Sequence, residues 1–166
     1  MTTATMEPQM ATERTVVHDT FTLERTYPHP PATVFAAWAE HDQKAAWFGS
    51  GPDFFTKVDR YELDFRVGGH ERIEGPLASG RQFAYDATYV DIVADRRIVA
   101  AYDLHIAGRA ISATLLTVEF EPQGAGTRLF LTEQAAYLDG LDGIEDRMPG
   151  VDAMLDKLDA YMATIA

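Results

Sequence analysis

The chain has no cysteine among its 166 residues. Disulfides, thiolate metal sites and a cysteine nucleophile are therefore excluded, and a stapled secreted scaffold with them. It is also short of positive charge, with 14 Lys and Arg against 26 Asp and Glu, a formal net charge of −12 at pH 7. A field of that sign repels phosphate backbones and anionic lipid headgroups, so neither nucleic acid nor a membrane is an expected partner. No stretch approaches the roughly 18 consecutive apolar residues of a membrane span. Met1 to Thr20 carry acids and polar groups where a signal peptide needs an apolar run, which makes the cytoplasm the expected location. Missing too are a Ser-His-Asp order, a phosphate-binding glycine loop and a dinucleotide fingerprint. The five histidines, His18, His29, His41, His70 and His105, lack the spacing of metal ligands. Neither a metal nor a cofactor is expected.

What is present is strong periodicity. Residues 1–15 mix Thr, Ala, Glu, Met and Pro without pattern and read as a disordered leader, leaving residues 16–166 as one domain of a size that buries a real core. From Val16 the chain alternates, with Val17, Asp19, Phe21, Leu23 and Arg25 on one face, and predicts a strand ending at Pro28. Pro31 suits the first turn of a helix whose apolar face is Val34, Phe35 and Trp38. A second short helix is predicted over Asp42 to Trp47, ended by Gly49 and Gly51. Six strands follow, at about Phe54 to Phe65, Gly69 to Glu74, Arg81 to Val93, Arg97 to Ile106, Arg109 to Phe120 and Thr127 to Ala136, separated by tight-turn chemistry. Leu138 to Pro149 reads as a loop over the sheet. Val151, Met154, Leu155, Leu158, Tyr161, Met162 and Ile165 then recur at spacings of three and four and predict a closing amphipathic helix.

An α+β chain in this order has few ways to bury its faces. Seven antiparallel strands curve around the last helix, and a cavity between sheet and helix follows from the shape.

Six segments in succession carry a family resemblance: Pro31-Ala32-Thr33-Val34-Phe35-Ala36-Ala37-Trp38; Trp47-Phe48-Gly49; Arg66-Val67-Gly68-Gly69; Tyr89-Val90-Asp91-Ile92-Val93 with Arg97-Ile98-Val99; Leu116 to Phe120; and Gly126 to Glu133. The chain resembles the SRPBCC superfamily of START-like helix-grip proteins. Within it, the chain is similar to the group named after the activator of the ninety-kilodalton heat-shock protein ATPase and to polyketide-cyclase-like domains. The resemblance spans about Phe21 to Tyr161 and implies a helix-grip fold that hosts lipid carriers, receptors, cyclases and proteins of other roles. Two departures bear on function. The activator proper has an additional amino-terminal domain, which a fifteen-residue leader does not supply, so a co-chaperone role is not expected. Val151 stands where relatives often have an aromatic after Gly150, and a smaller side chain there widens the mouth of a pocket.

Strand phase selects the candidate site. On the last strand, Glu133 is in phase with Leu129, Leu131 and Ala135, and an inward carboxylate needs a partner or a raised pKa. Either a bulge turns it outward or a nearby arginine pairs with it; otherwise it is the best candidate acid or base. Tyr102 shares with Ile98, Ala100 and Leu104 the face that the family resemblance implies is inward, and is the candidate hydroxyl for orienting a ligand. Ser112, Thr114 and Leu116 share the inner face of the strand from Arg109. Candidate ligand contacts are Trp47, Phe48, Arg72, Tyr85, Tyr89, Leu104, Ser112, Thr114, Leu116, Met148, Met154, Leu155 and Leu158. Which face of the strand from Arg81 to Val93 turns inward is open, because Phe83, Tyr85, Ala87 and Tyr89 compete with Ala84, Thr88, Val90 and Ile92.

Binding of a small hydrophobic molecule is the leading expectation. The alternatives are a cofactor-free cyclase, aldolase or hydrolase using Glu133 and Tyr102, and an interaction protein linked to stress response or a chaperone. A homodimer through a sheet edge or the helical pair is compatible with the sequence, which has no feature that decides it.

Overall fold

The structure is a computed structural model that describes residues 14–49 and 55–166. Its elements follow the chain as β1 (Val16–Tyr27), α1 (Pro31–Ala39), α2 (His41–Trp47), β2 (Arg60–Leu63), β3 (His70–Pro76), β4 (Gln82–Val93), β5 (Arg97–Ile106), β6 (Arg109–Gln123), β7 (Gly126–Leu138) and α3 (Ile144–Met162). The seven strands form one antiparallel sheet in the order β1-β7-β6-β5-β4-β3-β2. Strands β2 to β7 make a meander, and β1 closes it by pairing with β7 from Val16 opposite Leu138 to Tyr27 opposite Thr127. This is the helix-grip arrangement, with α3 lying across the concave face.

The two small helices are fixed to the sheet by aromatic packing. Pro31 opens α1 where a missing N–H costs nothing. Phe35 meets Phe120 of β6 edge-on with ring centres 5.4 Å apart. Trp47 packs on Trp38 at 4.8 Å and donates its indole N–H to the Ala37 carbonyl, so α2 is locked against α1.

One long edge of α3 is strapped to β1. The Arg25 guanidinium reaches Asp152, Asp156 and Asp159, and the Tyr27 hydroxyl donates to Asp159 at 2.7 Å. Beneath, Leu155 and Leu158 are fully buried, each contributing about 2 kcal/mol of apolar burial. With that edge held, the opposite flank of α3 faces α2 and β3 across a gap.

Three sequence expectations shift. The strand expected from Phe54 to Phe65 is only Arg60–Leu63, with an isolated bridge between Phe55 and Leu77 before it; Ser50 to Phe54 lie outside the described residues. Helix α3 begins at Ile144 rather than Val151, because Gly143 serves as the extended residue before it and Pro149 is carried inside the second turn. Proline at that point leaves the Glu145 carbonyl without its helical N–H partner and crowds it, a local cost that the helix carries. Arg14 and Thr15, the end of the expected leader, are tied to Asp139, with the Thr15 N–H donating to its carboxylate at 2.9 Å; the rest of that leader lies outside the described residues.

Candidate functional site

Between α3, α2 and the inner face of β3 to β7 lies a cavity of about 610 Å³, within the range of roughly 300–1,000 Å³ typical of ligand sites. Its wall is mostly apolar: Phe55, Ile73, Phe83, Leu104, Ile111, Leu116 and Leu131 among others. Period-2 alternation supplies most of these. In β4 the inward set is Phe83, Tyr85, Ala87 and Tyr89, which resolves the face that the sequence left open. A register shift between β5 and β6 at Leu104 and His105 lets both Ile111 and Ser112 turn inward.

Two ionic clusters interrupt the apolar wall. The first is built by register. Tyr102 stands opposite Thr114, and Glu133 opposite Leu116, one inward position along, so the three polar groups are diagonal neighbours on one face. Tyr102 donates its hydroxyl proton to Glu133 Oε1 at 2.5 Å. Arg147, from the second turn of α3, drops into this group. Its Nη1 donates to the Tyr102 hydroxyl at 2.9 Å, to Thr114 Oγ1 at 3.1 Å and to Glu133 Oε2 at 3.3 Å. Its Nη2 donates to Ser112 Oγ at 2.5 Å and to the Asp142 carboxylate. The guanidinium also lies over the Tyr137 ring at 5.5 Å. Burial raises the Glu133 pKa above its ordinary value, against the pull of Arg147 and Tyr102 in the other direction. Burial, with the Glu133 charge beside it, likewise pushes the Tyr102 hydroxyl well above the usual tyrosine range. Tyr137, whose hydroxyl has no partner among the described residues, is raised to about 12 by desolvation.

The second cluster lies under α2. Lys44 is 3% exposed and Glu71 1%, with Nζ 2.7 Å from Glu71 Oε1. The Tyr61 hydroxyl donates to Glu71 Oε2 at 2.8 Å and the Tyr89 hydroxyl to Oε1 at 3.1 Å. Lys44 Nζ also sits over the rings of Phe48, at 4.8 Å, and Trp38, at 5.3 Å. The turn before Glu71 needs glycine at position 69, where a Cβ would lie 2.0 Å from the Asp64 carbonyl oxygen.

The sequence candidates separate cleanly on this geometry. Tyr102, Glu133, Phe48, Tyr85, Leu104, Leu116 and Met154 line the cavity. Ser112 and Thr114 are buried beside it, with their hydroxyls engaged by Arg147. Trp47 and Tyr89 lie behind the wall, as anchors of α2 and of Glu71. Leu155 and Leu158 are core between helix and sheet. Arg72 points to the outer face, where it pairs with Glu74 and Asp86, because in β3 the inward phase belongs to Glu71, Ile73 and Gly75. Met148 is 40% exposed on the outward side of α3, one residue past Arg147.

Three functional groups were missed. Glu71 had a signal, since it alternates with Ile73. Lys44 had a weaker one, three residues before Trp47 on the same helix face. Arg147 was hidden by the assignment of its segment to a loop. Among the described residues no cluster of three or more His, Asp and Glu side chains has the geometry of a metal site, and no helix is long and apolar enough to cross a membrane.

The model of the family "Activator of Hsp90 ATPase homolog 1-like protein" matches residues 28–163. The chain belongs to that family. Among solved structures, it is similar to an uncharacterized protein from Rhizobium leguminosarum, at 38% identity and a TM-score of 0.87, over 93% of this chain and 100% of that one. A second is the Mll3558 protein of Rhizobium loti, at 41% identity and a TM-score of 0.81, over 89% and 99% of the two chains. CalU16 from Micromonospora echinospora, at 18% identity and a TM-score of 0.58 over 92% and 86%, shares the fold. No curated protein matches the chain. Family membership therefore agrees with the arrangement of sheet, helices and cavity, and leaves the ligand to be argued from the wall of this cavity.

Proposed function

We propose that this member of the family binds one small, uncharged hydrophobic molecule in the cavity under α3. The observation that carries the reading is the wall itself, mostly apolar and with its buried charges paired. Its buried charges are two cations, Lys44 and Arg147, against three carboxylates, Glu71, Glu133 and Asp142. With Glu133 protonated the set balances; with Glu133 ionised it is negative by one. Either way an anionic ligand gains no unpaired cation and pays for desolvation. The net charge of −12 adds long-range repulsion. Fatty-acid anions are thus disfavoured, and a neutral body with a few polar atoms is the best match.

A second reading, catalysis by Glu133 and Tyr102, draws on the raised Glu133 pKa at the cavity wall. The geometry weighs against it. The Tyr102 proton is donated to Glu133, and the hydroxyl oxygen already accepts from Arg147, so Tyr102 has no proton to offer a carbonyl until that network opens. Binding is therefore preferred.

The test is native mass spectrometry of protein purified gently from its own host, followed by denaturing extraction. A stoichiometric neutral compound released on denaturation is the expected result. Bare protein, or a bound carboxylate, would contradict it.

A further inference from the structure

The two clusters differ in how completely their hydrogen-bonding capacity is used. The Glu71 carboxylate is well supplied, with Lys44, Tyr61 and Tyr89 all donating to it. Lys44 is not. Its ammonium has three N–H donors and spends one on Glu71; the nearby rings of Phe48 and Trp38 offer only their π faces. Both Lys44 and Phe48 line the cavity. Tyr85 also packs edge-to-face against Phe48, with ring centres 5.2 Å apart; it lines the cavity and is 8% exposed. The Tyr85 hydroxyl makes no hydrogen bond among the described residues. Its ring lies tilted against that of Tyr102, with centres 4.6 Å apart, and the Tyr102 hydroxyl is itself engaged by Glu133 and Arg147. The cavity thus has two donor groups with unused capacity, an ammonium and a phenol, both packed against one aromatic ring. An acceptor on a ligand would use this spare donor capacity.

We propose that Lys44 and Tyr85 form a donor site for an uncharged oxygen acceptor, a ketone or quinone carbonyl carried on an aromatic or alicyclic body. Phe48 is the ring on which that body stacks. The Lys44 charge is balanced by Glu71, so the site attracts a carbonyl dipole without favouring a carboxylate. The proposal rests on the hydrophobic-cavity reading above, and its test separates the two.

The probes are 2-acetylnaphthalene and 2-ethylnaphthalene, which have nearly the same shape and differ in the carbonyl. By hydrophobic transfer alone the ethyl compound binds more tightly. The expected result by calorimetric titration is the reverse, with the ketone about tenfold tighter, the equivalent of one net hydrogen bond to a charged or well-placed donor. The bound ketone's carbonyl stretch should move to lower frequency. Tyr85→Phe should cut the preference at least about threefold and return part of that shift. Lys44→Met leaves Glu71 short of its cation, so the paired variant Lys44→Met with Glu71→Gln is the companion and should cut the preference likewise. Equal binding of the two probes to the wild type, or a preference unchanged in both variants, overturns the donor site and leaves the cavity reading standing. Failure of both probes to bind overturns the cavity reading and the donor site together.

Discussion

Glu133 and Arg147 face each other across 3.3 Å with almost no access to solvent, so each is tolerable only in the presence of the other. Removing the cation alone strands Glu133 and Asp142. Arg147→Met should therefore lose about 3–5 kcal/mol in urea denaturation, and adding Glu133→Leu should recover part of the loss, since one uncompensated carboxylate is gone. A greater loss in the double variant would mean that the pair is not the source of the cost. The pH dependence follows from the direction of the Glu133 shift. Its folded pKa lies above the ordinary 4.5, so the folded chain holds that proton more tightly than the unfolded chain. The stability this contributes is complete below the unfolded value and is lost as pH rises through the folded one. Glu24 beside Arg128 and Glu62 beside Arg60 are held low and act in the opposite sense. The useful quantity is therefore the difference between wild type and Glu133→Gln. Wild type should lose stability relative to the variant as pH rises above about 4.5, and a flat difference would contradict the assignment.

The elements reward a comparison along α3. Leu155 is fully buried against the sheet, whereas Met148 is 40% exposed. Leu155→Ala should cost about 2–5 kcal/mol in chemical denaturation, and Met148→Ala should stay within about 0.5 kcal/mol. Equal effects would mean that the helix sits rotated from its described face. The same helix shows where the sequence was legible and where it was not. Spacings of three and four named its buried stripe correctly from Val151 onward, because that stripe is set by contact with one apolar surface. Its first two turns were hidden, since Pro149-Gly150 reads as a breaker and only the closed structure shows that the helix runs through it. Arg147 was lost with those turns. Strand phase did better. It turned Glu133 inward from period alone, and Tyr102 inward with the help of the family resemblance, but it could not choose between two apolar sets in β4, where both faces carry hydrophobic residues. Arg72 was assigned to the interior on chemistry rather than phase, and phase was the better guide.

Taken together, the meander, the closing strand β1 and the strap from Arg25 to α3 hold one flank of the helix down and leave the other over the cavity. The resemblance in sequence foretold this shape, because six short segments in a fixed order constrain topology strongly. It said little about the ligand, since the same frame accommodates different walls and the distinguishing groups here, Lys44 and Glu71, lie outside those segments. Charge is a property of the whole wall. The anion 2-naphthoate should bind at least about tenfold more weakly than neutral 2-acetylnaphthalene, as measured by competitive titration; equal binding would contradict the pairing of the buried cations Lys44 and Arg147.

The claim that the space under α3 is the binding site is tested most directly by filling it. Ile111 is 6% exposed and lines the cavity from β6, so Ile111→Trp places an indole in the space a ligand needs. Titration of 2-acetylnaphthalene should give one site per chain in the wild type and no measurable site in a variant that still unfolds cooperatively. Unchanged binding to a folded Ile111→Trp protein would place the site elsewhere and contradict the account.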